Sequence, residues 1–244
     1  MEDILVGLNP AQREAVEYIG GPLLILAGPG SGKTRVIAHR VAYLIQVVGV
    51  SPRRLLAVTF TNKAAREMKE RIFRLVGQQA QEMTLGTFHA LGARILRQEA
   101  SHLGLNSAFV IYDQEDQVKA IKLCMQELDL DPKQYNPKAI QSAIEKAKNA
   151  LLTPQAYAAT TKSYFEEVVA RVYERYQALL AQSQALDFED LLVMPVRLFQ
   201  QVPEVLARYQ ARYLHVLVDE FQDTNRVQHI LAKQLAGRYK NICV

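Results

Sequence analysis

Residues 23–35 read LLILAGPGSGKTR. An apolar run breaks into Gly, Pro and Ser, and Lys33 and Thr34 follow at once. Few local patterns restrict a fold more. The apolar run predicts a buried strand over 23–27, the small residues a tight loop, and the residues after them an amphipathic helix. Residues 27–34 fit [AG]-x-x-x-x-G-K-[ST], with Ala27 where the strict form has glycine. Gly28, Gly30, Ser31 and Gly32 make up a loop whose backbone curls so that its N–H groups face an anion. Pro29 has no N–H to donate and stiffens the loop. The helix opening at Lys33 and Thr34 sets its N-terminus against the same anion. Lys33 is placed to reach the β- and γ-phosphates of a nucleotide, and Thr34 to offer its hydroxyl to Mg²⁺. A plain glycine turn is the competing account. The strand before and the helix after favour the nucleotide site.

Further apolar runs at 55–60, 83–88, 215–219 and 242–244 read as buried strands, with helical patterns at 63–76 and 89–103 between them. That alternation predicts an α/β fold with a parallel sheet covered on both faces. From about residue 115 to 209 the pattern changes. Ala, Gln, Glu, Leu and Lys dominate, punctuated by Pro132, Pro137, Pro154 and Pro195. SYFEEVVARVYERYQALLAQ spaces its apolar residues along one face of a long helix. The expected organisation is an α/β domain over 1–96 and 212–244, interrupted by a mostly helical insertion over 97–211.

At 49% hydrophobic over 244 residues the chain can bury a sizeable core. Its net charge of +4 permits nucleic-acid binding without requiring it. Cys124 and Cys243 form no CxxC pair, which excludes a zinc ribbon or a disulfide framework. The opening MEDILVGLNP lacks the long apolar core of a signal peptide or membrane anchor, so the chain is expected to be soluble and cytoplasmic.

A phosphate loop of this kind needs a carboxylate on a neighbouring strand end. HVLVDEFQDT supplies it: residues 215–218 are the strand, and Asp219 and Glu220 stand at its C-terminal edge, where ligands bind in open α/β sheets. Asp219 is expected to hold Mg²⁺ and Glu220 to orient or deprotonate a water. The loop and this pair are expected on adjacent strand ends.

LNPAQREAV (8–16), AGPGSGKTR (27–35), LAVTFTNKAAREMKERI (56–72), GTFHALGARILR (86–97), ALDFEDLL (185–192) and LVDEFQDTNRVQ (217–228) follow one another in this order. Together they resemble the motifs of superfamily 1 DNA helicases of the UvrD/Rep/PcrA type, over essentially the whole chain. The resemblance implies a RecA-like P-loop domain carrying the insertion, with ATP and Mg²⁺ as cofactors and 3′–5′ movement on single-stranded DNA. The strand would be presented as a 3′ tail or at a junction. It implies that Gln12 reads the adenine edge, for which an amide offers a donor and an acceptor side by side. Arg35 resembles an arginine near the base and phosphates. It also implies a single-strand track: Thr59, Phe60, Asn62, Lys63 and Arg66 past one strand end, and Thr87 and His89 past the next. An aromatic beside basic groups suits base stacking with phosphate contact. Phe88 reads equally as core. Asp187 and Asp190 are expected to brace the insertion, since an acidic pair repels DNA phosphates.

Enzymes of this type hold ATP between two RecA-like domains. No Gly-Asp…Gln-Ser motif follows GRYKNICV, so the chain is expected to be the N-terminal ATP- and DNA-binding part, with the C-terminal helicase half as its partner. Alternatives are a non-catalytic nucleotide- and DNA-binding module, the helicase part of a RecB/AddA-type helicase–nuclease, and an unrelated P-loop kinase or transporter ATPase. Gln12 and TFTNKAAREM speak against the last.

Overall fold

The computed structural model describes residues 4–28 and 30–244; Pro29, and with it the expected stiffening of the loop, lies outside the described residues. In chain order the elements are α1 (Pro10–Glu17), α2 (Lys33–Gln46), β1 (Leu55–Thr59), α3 (Asn62–Val76), β2 (Thr84–Thr87), α4 (Phe88–Gln98), β3 (Val110–Ile111) and α5 (Gln114–Glu127). They continue with α6 (Pro137–Asn149), α7 (Pro154–Ala158), α8 (Tyr164–Gln182), β4 (Ala185–Leu186), α9 (Asp190–Gln201), α10 (Pro203–Arg212), β5 (His215–Val218), α11 (Arg226–Ala236) and β6 (Ile242–Cys243).

The chain divides into two compact units. The first comprises Met1–Leu91, Phe199–Thr224 and Gln228–Val244. Its parallel sheet runs β2-β1-β5-β6. Every residue of β1 and β5 is buried, as expected of strands covered on both faces. Ile37, Val41 and Leu44 of α2 and Met68 and Ile72 of α3 join Leu55, Ala57 and Leu217 in one core cluster. The fold is therefore α/β with a parallel sheet, as the alternation of apolar runs implied.

The expected strand over 23–27 is reduced to a bridge between Leu23 and Cys243. Leu23 N donates to Ile242 O (2.8 Å), Val244 N to Leu23 O (3.0 Å) and Ile25 N to Val244 O (2.8 Å). The segment leading into the loop thus lies beside β6, and β6 separates it from β5. This corrects the expectation of adjacent strands.

The second unit comprises Gly92–Leu198 and Asn225–Val227. Ile121 and Cys124 of α5, Ile140 and Ile144 of α6, and Val169, Val172, Tyr173 and Tyr176 of α8 make its core. The two-residue strands β3 and β4 pair in parallel, which no periodicity in the sequence announced. Within it Lys148 Nζ lies 2.6 Å from Asp187 Oδ2 and 2.8 Å from Asp190 Oδ1, and Tyr176 OH donates to Asp187 Oδ2 at 3.1 Å. Asp187 and Asp190 do brace this unit, through a buried lysine.

His215, the first residue of β5, is buried, and burial, then the Arg40 and Arg54 guanidiniums, pushes its imidazole down to about 4. The folded state therefore binds fewer protons at this site than the unfolded chain between that value and about 6.5. Stability from the neutral ring is fully present above about pH 6.5 and is lost as pH falls toward 4. Urea titrations at pH 7 and pH 5 are expected to show lower stability at pH 5, by a margin that shrinks in His215→Gln. An equal margin in that variant would place the titration elsewhere.

Candidate functional site

The site is built on the first unit. Asn9 caps α1 and forms a reciprocal box with Gln12: Gln12 N donates to Asn9 Oδ1 (2.9 Å) and Asn9 N to Gln12 Oε1 (3.1 Å). Gln12 Nε2 then donates to Ser31 O at 3.0 Å, tying α1 to the loop. Sequence reasoning assigned Gln12 but missed Asn9, although NPAQ carries the spacing of a capping box.

In the loop, Gly30 and Gly32 take φ of 75° and 87°, a left-handed region that a side chain would strain. A Cβ built on Gly28 or Gly30 meets nothing within 4 Å, so their open side faces away from the protein. Ser31 Oγ donates to Gly28 O at 2.7 Å. Gly32 is the N-cap of α2 and offers no side chain to its first turn. The N-termini of α1, α3 and α5 are capped by Asn9, Thr61 and Asp113. The free N–H groups of α2 form the positive end of its dipole and can receive an anion. Arg35, exposed in the first turn of α2, lies over Gly7, where a Cβ would come within 2.8 Å of its Nη2.

Across from the loop, Asp219 continues the ladder past β5, its N–H donating to Val58 O at 2.9 Å. Thr34 Oγ1 donates to Asp219 Oδ2 at 2.9 Å although 185 residues separate them. Burial raises the Asp219 carboxyl above the ordinary carboxylate range, opposed by the Thr34 hydroxyl. Glu220 is held at φ 49°, ψ 46°, uncommon for a residue with a side chain. Gln222 Nε2 donates to Glu220 Oε2, a partner that the sequence did not single out. Lys33 Nζ reaches back to Ala27 O (3.3 Å) and Gly28 O (3.5 Å) and stands 4.0 Å from Glu220 Oε2. Ala27, Lys33, Asp219, Glu220 and Gln222 help to line a cavity of about 410 Å³. Two acidic groups and one ammonium thus border one space, with a hydroxyl bonded to one of the carboxylates and an uncapped helix start beside it. That arrangement can hold a polyphosphate with a hard cation and place a base beside it.

The remaining candidates occupy the same edge of the sheet, on the other side of β5. Thr59 and Thr87 are register partners in β1 and β2. Both are buried: Thr59 Oγ1 donates to Thr61 O (3.0 Å), and Thr87 Oγ1 accepts from Ala90 N (3.2 Å). Both hydroxyls take part in the turns that follow their strands. Phe60 is 50% exposed, and Asn62, Lys63 and Arg66 are exposed on the first turns of α3. Phe88 is core. His89 is half-buried, and burial lowers its pKa.

Among the described residues no helix is long and apolar enough to cross a membrane. Residues 8–244 match the family model described as UvrD/REP helicase N-terminal domain. The chain is 48% identical over 241 residues to "ATP-dependent DNA helicase PcrA" of Bacillus subtilis (strain 168), covering 99% of this chain and 33% of that protein. Proteins with the same description from Staphylococcus aureus (strain COL) and Leuconostoc citreum are 47% and 48% identical, each alignment covering 100% of this chain and 33% of the relative. The chain thus spans about a third of the length of the curated relatives it matches.

Proposed function

The chain belongs to the UvrD/REP helicase N-terminal domain family, and from that premise we propose that it is the ATP- and single-strand-binding part of a 3′–5′ DNA helicase. The observation that carries the reading is the Thr34–Asp219 contact at 2.9 Å, made beside the uncapped start of α2 with Lys33 and Glu220 flanking it. The loop residues Gly28, Gly30, Ser31 and Gly32 cradle the phosphates. Lys33 exchanges the carbonyls of Ala27 and Gly28 for the β- and γ-phosphates. Gln12 and Arg35 serve the base side.

A hydroxyl and a carboxylate meeting in this way suit an oxygen-seeking cation, so Thr34 and Asp219 would hold Mg²⁺. Bound there, Mg²⁺ would neutralise charge on the phosphate oxygens. Glu220, oriented by Gln222, takes the proton from the attacking water. Phe60 offers a face to an unpaired base, worth about 1–3 kcal/mol, and Asn62, Lys63 and Arg66 follow the backbone. His89 stands at the end of that track, and Thr59 and Thr87 shape it. We place the cations that complete the transition state, and the closing motion that drives unwinding, in the C-terminal helicase half of the longer protein.

The test uses residues 1–244 with ATP, Mg²⁺ and an oligonucleotide. The protein is expected to bind ATP, to bind single-stranded DNA weakly and less at high salt, and to separate no strands. Glu220→Gln is expected to keep ATP affinity and to lower the residual hydrolysis by about 10²-fold. Hydrolysis at the parent rate in Glu220→Gln, or ATP-dependent unwinding by 1–244, would overturn the assignment.

A further inference from the structure

Arg40 is on α2, in the interior of the first unit, and is only 2% exposed. Its Nη1 donates to Ala15 O at 2.8 Å, to Val16 O at 3.5 Å and closely to Tyr18 O. These are carbonyls of the last turn and cap of α1, a turn with no basic residue of its own. Among the described residues no carboxylate forms an ion pair with this guanidinium. A buried charge without a counter-ion is disfavoured, and an apolar side chain of similar length would fill the space. The guanidinium supplies something an apolar side chain does not: donor hydrogens on a planar group of fixed orientation, here those of Nη1 shared among three carbonyls at the negative end of a helix.

That direction matters because α1 carries Gln12 and α2 begins at the phosphate loop. Among the described residues, apolar packing and two directional links join α1 to α2 and the loop before it. Leu8, Val16 and Val36 form a small apolar cluster, which has no directional preference. Gln12 Nε2 bonds Ser31 O, and Arg40 holds the end of α1. The Gln12 bond uses the donor that a base would need, so it is relinquished when the base is read. Arg40 is then the directional link that remains. We infer that Arg40 is a positioning residue for base selection, setting α1 against α2 so that the Gln12 amide meets an adenine whose phosphates the loop holds. This rests on the nucleotide reading above. On the N7 edge a Gln amide matches the adjacent acceptor and donor of adenine, where guanine presents two acceptors.

The experiment measures displacement of a fluorescent ATP analogue from residues 1–244 by ATP, GTP and inorganic tripolyphosphate, all with Mg²⁺. Arg40→Lys keeps the charge and loses the planar group that fixes where the donors point. It is expected to lower ATP affinity about tenfold, the size of one lost hydrogen bond, to bring the ATP-to-GTP ratio toward unity, and to leave tripolyphosphate affinity unchanged. In a Gln12→Ala background it is expected to change nothing further, since the two act through one contact. Arg40→Gln, which keeps a donor without a buried charge, carries the same expectations and replaces Arg40→Lys where that variant does not fold. Equal losses for ATP and tripolyphosphate, or an unchanged ATP-to-GTP ratio, would overturn the inference and leave nucleotide binding standing. If Gln12→Ala itself leaves the ATP-to-GTP ratio intact, the base-reading role of Gln12 fails and the inference with it. If the parent protein does not bind tripolyphosphate, the phosphate loop reading fails first.

Discussion

Lys33→Ala is expected to weaken ATP binding by about a hundredfold, the loss of charge-assisted bonds to phosphate, while the unfolding midpoint stays in place. Among the described residues its ammonium bonds the carbonyls of Ala27 and Gly28 and stands 4.0 Å from Glu220, which is itself substantially exposed. Water can take over each of those contacts when the side chain is removed. The core beneath loses nothing, because the charge points into the cavity and not into the packed interior. Calorimetric titration with ATP·Mg²⁺ and a thermal unfolding scan of the same variant check the two halves separately. ATP binding at parental strength would remove Lys33 from the phosphate site. A collapse of the unfolding midpoint would make it a structural residue.

The largest effect on stability is expected from Lys148→Met. Lys148, Asp187 and Asp190 are all buried, and the ammonium lies within 2.8 Å of both carboxylates. Burial works against the lysine's charge, but Asp190 and Asp187 overcome it and hold the ammonium above its ordinary range. Burial also pushes the Asp190 carboxyl up to about 6 and the neighbouring Glu189 up to about 7. Removing this cation leaves two buried carboxylates without their ion-pair partner in a low-dielectric interior, at a cost of about 3–5 kcal/mol. Denaturant unfolding at pH 7 measures the loss. A change under about 1 kcal/mol would show that the carboxylates discharge or find water at little cost.

The loop, its flanking helix and the acidic strand end were legible because each is local: a run of apolar residues, glycines at set offsets, two carboxylates after HVLV. What joins them was not. Strand order is set by pairing between distant segments, and the two residues of β6 carry too little pattern to show that they lie between Leu23 and β5. Thr59 and Thr87 could be placed at strand ends from their spacing, but burial of their hydroxyls follows from how β1 and β2 register and how the next helices begin. Asp187 and Asp190 could be read as a brace by their chemistry. Their partner could not, since Lys148 lies 39 residues from Asp187 in a helix whose other lysines face water. Arg40 gave no signal at all: a single cation within VIAHRVAY reads as a solvated helix position.

The bridge between Leu23 and Cys243 bears on how the protein is made. Gly21 N bonds Asn241 Oδ1, and Leu23 N bonds Ile242 O, so the segment leading into the loop is fastened by residues about 220 positions downstream. Synthesis delivers the loop well before its anchor. Until residues 241–244 have left the ribosome, the stretch around Leu23 has no edge to join, and closing so long a span is slow and costly in chain entropy. The helical unit made in between has a core drawn from α5, α6 and α8 and can consolidate earlier in translation. A nascent chain therefore carries its phosphate-binding sequence without its anchor until residues 241–244 have emerged.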